Sequence, residues 1–238
     1  MRTELESILK RTGFVVRPPS IEHKTAASCS DKGYALHILG RHEEAIALCA
    51  NALELDPLNA TAWNTKGLAL DALGQHTQAV ACFAKFLEIA PRDPAAWNNM
   101  AMALSNLGRH DEAVASYRKA LEIDPHRPRV WNNAGYTLYQ LNRNEEAIAC
   151  FAKALEIDPQ NALFWNNKGH SLHALGRYEQ AIASLTKAVE SDPLNGSAWN
   201  KRGEALRALG REEEAIACFA KALESDTSNE ITDADIPF

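Results

Sequence analysis

The five tryptophans of this 238-residue chain follow one another at a constant spacing of 34 residues, and this spacing constrains the fold more than any other feature. Periods of about 20–50 residues indicate tandem units that bury their apolar faces against one another. The tryptophans are Trp63, Trp97, Trp131, Trp165 and Trp199. With each tryptophan at position 4, and Cys29 replacing it in the first unit, the chain divides into six 34-residue units: 26–59, 60–93, 94–127, 128–161, 162–195 and 196–229.

Other positions of the unit predict a pair of helices. Position 8 is glycine or alanine, which allows two helices to approach closely, and position 11 is always leucine. Glycine or asparagine at position 15 tolerates a left-handed conformation and ends the first helix. Alanine at position 20 and a large residue at position 24, in all units but the first, follow the apolar spacing of a second helix. Proline at position 32 ends that helix, and only the last unit, with Thr227, lacks this stop.

Together these residues resemble the tetratricopeptide repeat family, with its tryptophan–leucine–glycine first helix, its alanine–aromatic–alanine second helix and its terminal proline. The resemblance implies an all-α, right-handed helix-turn-helix solenoid, a superhelix that binds protein or peptide partners. One departure is position 7, which is usually leucine in the family. Lysine or arginine stands there in four units, and we expect the aliphatic stems to pack while the charges reach water: Lys32, Lys66, Lys168 and Arg202.

Helical geometry assigns one face of the first helices to a concave groove. At about 100° per residue, positions 2, 5, 6, 9 and 13 lie opposite or beside the buried face, and position 12 lies at its margin. Asparagine dominates this face, and we name these eight residues the asparagine row: Asn64, Asn98, Asn132, Asn166 and Asn200 at position 5, with Asn99, Asn133 and Asn167 at position 6. Amide side chains can hydrogen-bond the backbone of an extended peptide. The alternative is that they only solvate the face or tie adjacent first helices together.

Aromatic and basic side chains on the same face complete the candidate peptide-binding groove. They are Tyr34, Tyr136, Tyr139, His170, His173, Arg129 and Arg207. Members of the family that clamp a carboxylate use lysine and arginine in the groove, but here Asp71 and Glu204 offset the basic side chains. We therefore predict an extended ligand that is not strongly acidic.

The sequence favours a non-enzymatic interaction scaffold or adaptor. It contains no phosphate-binding glycine loop and no nucleophile elbow, and we expect no cofactor and no metal, because His170 and His173 would supply only two ligands. The five cysteines read as packing residues. The alternatives are a regulatory or co-chaperone-like subunit of an enzyme complex and an RNA-binding solenoid of the pentatricopeptide type. The period of 34 rather than 35 and the net charge of −6 oppose RNA binding.

The charge balance and hydropathy also predict a cytoplasmic protein that contacts neither nucleic acid nor membrane. Residues 1–25 form an N-terminal extension with a predicted short helix from Glu4 to Arg11, and residues 230–238 form an acidic and apolar tail. The last unit lacks a polar capping helix, so the apolar side of a helix over 209–225 is expected to lie uncovered. The tail could cover it, two molecules could stack end to end, or the tail could dock in a neighbour's groove.

Overall fold

A computed structural model describes residues 25–234, which form helices arranged in six consecutive pairs. The first helix of each pair has 13 residues: α1 (Ala26–Ile38), α3 (Ala60–Ala72), α5 (Pro94–Asn106), α7 (Pro128–Gln140), α9 (Ala162–Ala174) and α11 (Gly196–Ala208). The second helices are α2 (His42–Leu55), α4 (His76–Ile89), α6 (His110–Ile123), α8 (Asn144–Ile157), α10 (Tyr178–Ser191) and α12 (Glu212–Ala234). This all-helical repeat architecture confirms the predicted fold class. The predicted helix over Glu4–Arg11 lies outside the described residues.

Local chemistry sets the helix ends. Five first helices begin after an N-cap whose side chain accepts a backbone N–H bond from three residues on: Thr25, Asn59, Asp93, Asn161 and Asn195. The turn at position 15 has a positive φ in every unit, including 59° at Asn142, where asparagine replaces glycine. That confirms the predicted end of the first helix.

The proline stops act as predicted in the first five units, whose second helices end two residues before the proline. The sixth unit has no such proline, and α12 continues to Ala234, so it is 23 residues long instead of 14. The predicted span of 209–225 is therefore wrong at both ends: the helix begins at Glu212 and runs into the segment from 230 that we interpreted as a tail. Nothing in residues 226–234 breaks the backbone hydrogen-bond pattern in the way that proline does.

Close contact between the two helices of a unit depends on position 8. A Cβ atom added to Gly135 would lie 2.7 Å from Cε1 of Phe151, and one added to Gly67 would lie equally close to Phe83. Both rings are fully buried. The prediction that a small residue at position 8 allows close approach of two helices is therefore confirmed, and the structure shows that its partner is the large residue at position 24.

Successive units pack more closely through their first helices than through their second. Each first helix comes within 8 Å, Cα to Cα, of the first helix of the next unit, whereas within residues 25–234 no second helix comes that close to the next second helix. The first helices therefore form the inner layer of the solenoid. The indole Nε1–H of each tryptophan donates to the carbonyl oxygen of the proline six residues earlier, over 2.8–3.0 Å, and so fixes the connection between units. Cys29, Cys49, Cys82 and Cys218 are buried free thiols, as their interpretation as packing residues requires.

Candidate peptide-binding groove

An open groove of about 710 Å³ lies on the inner layer between α5, α7 and α9. Its polar wall contains side chains of the asparagine row, and Arg129 stands beside them. Its apolar wall is formed by Met102 of α5 and by Leu163 and Phe164 of α9. Leu163 and Met102 are exposed, whereas Phe164 is buried. The site can therefore accept a chain that offers both backbone polar groups and an apolar side chain.

Parts of the asparagine row are bonded to one another across repeat boundaries. Asn167 donates from Nδ2 to Oδ1 of Asn132 over 2.9 Å, and Asn133 donates to Asn98 over 3.5 Å. Position 6 of one unit thus reaches position 5 of the unit before it. The alternative of tying adjacent first helices together is present at these two boundaries. Each amide still has donor or acceptor capacity left, because a primary amide offers two donors and two lone pairs.

The asparagines differ in their exposure. Asn132 and Asn166 are only 6% and 8% exposed, although each lines a cavity of the groove. The Oδ1 atoms of Asn64 and Asn166 are buried without a hydrogen-bond partner in the structure. Asn99 is half-buried. Asn200 is exposed, and its amide donates to Glu204 over 3.2 Å. The members of the row that line the groove cavities therefore lie between α5 and α9, although Asn132 and Asn166 expose little of their surface there.

Two smaller cavities continue the groove. One is lined by Met102, Asn133, Tyr136 and Gln140, and the other by Tyr136, Tyr139, Asn167 and His170. Tyr136 borders both, is 48% exposed, and its ring centroid lies 6.4 Å from that of Tyr139. The structure thus brings the predicted residues of the fourth and fifth units together. Tyr34, by contrast, is an exposed residue of α1 that lines none of these cavities.

The predicted residues near the C-terminal end of the groove largely contact other groups of the chain. His173 lies 3.8 Å from a carboxylate oxygen of Glu204, and its ring contacts Tyr178 at 5.3 Å. Lys201 pairs with the same Glu204 over 2.6 Å. The guanidinium of Arg207 lies 5.6 Å from the ring centroid of Phe219. These side chains stabilise one another, so the strongest candidate site is the central part of the groove.

Sequence reasoning missed the contribution of the segments that precede the first helices. His126, Arg127 and Asn161 also line the 710 Å³ groove, and Nε of Arg127 donates to Asp124 over 2.7 Å. Phe164 was missed as well, because position 3 belongs to the buried side of the first helix. A larger residue at this position than the alanine of most other units was the available signal.

Burial lowers the pKa of His170 from 6.5 to about 4, and Lys201 and His173 act in the same direction while Glu204 opposes them. Because the native pKa is below the unfolded one, the unfolded state binds more protons between these values, and stability falls as the pH drops through this window. We expect wild type to lose about 1–3 kcal/mol more than His170→Gln between about pH 7 and about pH 4.5. Urea unfolding at both pH values measures this. Equal losses in the two proteins would contradict it.

Among residues 25–234, no group of three or more histidine, cysteine or acidic side chains is placed to hold a metal ion. Within the same residues, no helix combines the length and apolar character needed to cross a membrane.

Comparisons with known proteins place this geometry in a family. No curated protein matches the sequence. Among solved structures, MamA 41-end from Desulfovibrio magneticus RS-1 superposes with a TM-score of 0.67 at 21% identity, covering 71% of this chain and 96% of that one. PilF of Pseudomonas aeruginosa superposes with a TM-score of 0.68 at 19% identity, covering 81% of this chain and 88% of that one. YrrB is described as a TPR protein with an unusual peptide-binding site. It superposes with a TM-score of 0.64 at 19% identity, covering 74% of this chain and 91% of that one.

Sequence models of one family cover most of the described chain. Three models described as tetratricopeptide repeat match residues 26–57, 57–125 together with 92–160, and 166–230. These matches coincide with the helix pairs of all six units. The chain therefore belongs to the tetratricopeptide repeat family.

Proposed function

We propose that this protein is a non-enzymatic interaction scaffold that holds an extended protein segment in the groove formed by α5, α7 and α9. The observation that carries the proposal is the 710 Å³ groove itself, where amides of the asparagine row face the exposed apolar side chains of Met102 and Leu163. Amides pair with a peptide backbone, and apolar walls select its side chains. YrrB, described as a TPR protein with an unusual peptide-binding site, supports this use of a similar fold.

The charge of the groove favours a ligand that is not strongly acidic. Arg129 is exposed at the groove, but Arg127 already pairs with Asp124, and Lys201 pairs with Glu204. A single unpaired guanidinium can bind one carboxylate of a ligand, but it does not form a clamp for several. The regulatory or co-chaperone-like alternative differs from the scaffold only in the identity of the protein to which the bound segment belongs.

A phage-displayed library of random dodecapeptides tests the proposal. Peptides selected on the wild type should bind the double variant Met102→Ala/Tyr136→Ala about tenfold more weakly or worse, since truncation of two exposed contact residues costs roughly 1–2 kcal/mol or more. Isothermal titration of the purified peptides measures the affinities. These exposed residues give a cleaner test than Asn98, Asn132 and Asn166, whose replacement would also remove bonds between helices.

A matched control removes exposed apolar side chains elsewhere. Leu55 and Leu223 are 56% and 68% exposed and line none of the groove cavities. The variant Leu55→Ala/Leu223→Ala should bind the selected peptides as the wild type does. If the groove variant also kept full affinity, or if the library gave no binding peptide at all, the proposal would be wrong.

A further inference from the structure

A second cavity, of about 420 Å³, lies on the outer side of the solenoid between α6, α7 and α8, and we name it the outer cleft. It shares no residue with the cavities of the groove. Its walls are mainly apolar, with Val114 and Leu121 from α6, the Trp131 indole and Leu138 from α7, and Cys150 from α8. It is therefore a separate surface, for which the proposed function has no use.

In three other units a cation of the chain itself lies over the corresponding tryptophan ring. The position 7 side chain reaches over the tryptophan three residues earlier: Lys66 lies 5.9 Å from the Trp63 ring centroid, Lys168 lies 5.2 Å from Trp165, and Arg202 lies 5.3 Å from Trp199. A second cation from the following helix joins the last two, with Lys187 at 4.4 Å and Lys221 at 5.3 Å. The aliphatic stem packs while the charge contacts the ring face. This differs from the expectation that the charges at position 7 reach water, because each charge lies against a tryptophan ring and Nε of Arg202 is buried.

The fourth unit departs from this arrangement. Position 7 is Ala134, which is too short to cover Trp131, and Lys153, at the position equivalent to Lys187, pairs instead with Glu156 over 2.8 Å. Among the described residues, no cation lies over the Trp131 ring. In the third unit position 7 is Met100, which packs in one apolar cluster with Trp97. The fourth unit thus combines a short residue at position 7 with a tryptophan face open to the outer cleft.

The charges around the outer cleft also differ from those of its equivalent in the next unit. Glu122 and Glu146 line the outer cleft together with Arg118, and both carboxylates are already paired within the chain, Glu122 with Lys119 over 3.0 Å and Glu146 with Arg143 over 2.7 Å. The equivalent cavity of the fifth unit is lined by three cations and no carboxylate: Lys168, Arg177 and Lys187. The preference for a ligand with a hydrocarbon stem and a cationic end therefore rests on the apolar walls and on the Trp131 ring, over which no cation of the described chain lies, and not on these paired carboxylates.

We propose that the outer cleft binds a lysine or arginine side chain of a partner protein. The stem of that side chain lies against Val114, Leu121 and Leu138, and its charge lies over the Trp131 ring. The partner thereby supplies the group that Lys168 and Arg202 supply from within the chain in later units. A partner segment on this outer surface would leave the groove free for a second ligand.

The Trp131 indole gives a direct measurement. In a ¹⁵N-labelled sample the five indole N–H signals report on the five units that contain a tryptophan. The variant Trp131→Phe assigns the relevant signal by its loss. Titration with the peptide acetyl-GGKGG-amide should shift the Trp131 signal saturably, while the same peptide with norleucine or glutamate in place of lysine should shift it at least tenfold less at equal concentration. A Trp131 signal that does not move, or that moves equally with norleucine, would overturn the proposal.

Two variants make the test specific. Ala134→Lys introduces the residue that two other units already hold at this position over their tryptophans, so it should supply an internal cation and abolish the response of Trp131. Lys168→Ala/Lys187→Ala should open the fifth unit and make Trp165 respond to the lysine peptide. The groove variant Met102→Ala/Tyr136→Ala should keep the full response. An Ala134→Lys protein that titrates like wild type, or a Trp165 signal that stays unchanged in the double variant, would contradict the assignment.

Discussion

Phe151→Ala is expected to lower the free energy of unfolding by about 3–5 kcal/mol, because it removes a fully buried ring from the centre of the solenoid. The ring packs with Leu138 and Ala147 in one buried cluster, and its edge faces the Cα of Gly135 so closely that an added Cβ would lie 2.7 Å away. The main chain on both sides is held in regular helices, so the cavity cannot easily collapse. Urea unfolding followed by circular dichroism measures the loss.

A milder variant separates loss of volume from loss of the aromatic ring. The fifth unit carries Leu185 against Gly169 at the equivalent positions, and Leu185 is fully buried there. Phe151→Leu should therefore cost only about 1–2 kcal/mol. An alanine variant that stayed within about 1 kcal/mol of wild type would show that this ring does not hold the helix pair together.

Leu155→Ala and Leu223→Ala change the same repeat position and should differ strongly in their effects. Leu155 is 6% exposed because Phe164 of the next unit packs on it, whereas Leu223 is 68% exposed because no unit follows α12 in the described structure. Truncation of the buried leucine should cost about 2–5 kcal/mol. Truncation of the exposed one should change stability by no more than about 0.5 kcal/mol. Unfolding in urea at low protein concentration gives both values.

The comparison also tests how the end of the solenoid is covered. Ile216, at the position equivalent to the half-buried Ile182, is 59% exposed on the same side of α12 as Leu223. If Leu223→Ala proved as costly as Leu155→Ala, this face would be covered in solution. Light scattering would then distinguish a second copy of the chain, which raises the mass, from the residues after 234, which leave it unchanged.

Much of the fold could be predicted from the sequence because each requirement is local and recurs in every unit. Position 15 needs a positive φ, position 8 needs a minimal side chain opposite a large one, and position 32 stops a helix with proline. Glycine is replaced once at each of the first two positions. Asn142 at position 15 still has a positive φ, and Ala101 at position 8 is buried. The face of the first helix that lines the groove followed from the same periodicity.

The details of the groove could not be predicted, because they depend on relations between units. The bonds from Asn133 to Asn98 and from Asn167 to Asn132 require the offset between neighbouring first helices, and helical periodicity within one unit does not contain that offset. The length of α12 was mispredicted because the predicted span ended at residue 225, although Thr227 replaces the proline that stops the other second helices. The outer cleft depends on Ala134 and on the pairing of Lys153 with Glu156, which the repeat pattern does not determine, because Lys187 and Lys221 at the same position lie over their tryptophans.

The unequal contacts of the two layers determine how this molecule deforms. Neighbouring first helices approach within 8 Å, Cα to Cα, and neighbouring second helices do not, so the outer layer leaves more space between units than the inner layer. A change in curvature therefore alters the spacing of the second helices more than the length of the groove. A side chain bound between α6 and α8 would therefore oppose any change in curvature that brings these two helices closer together.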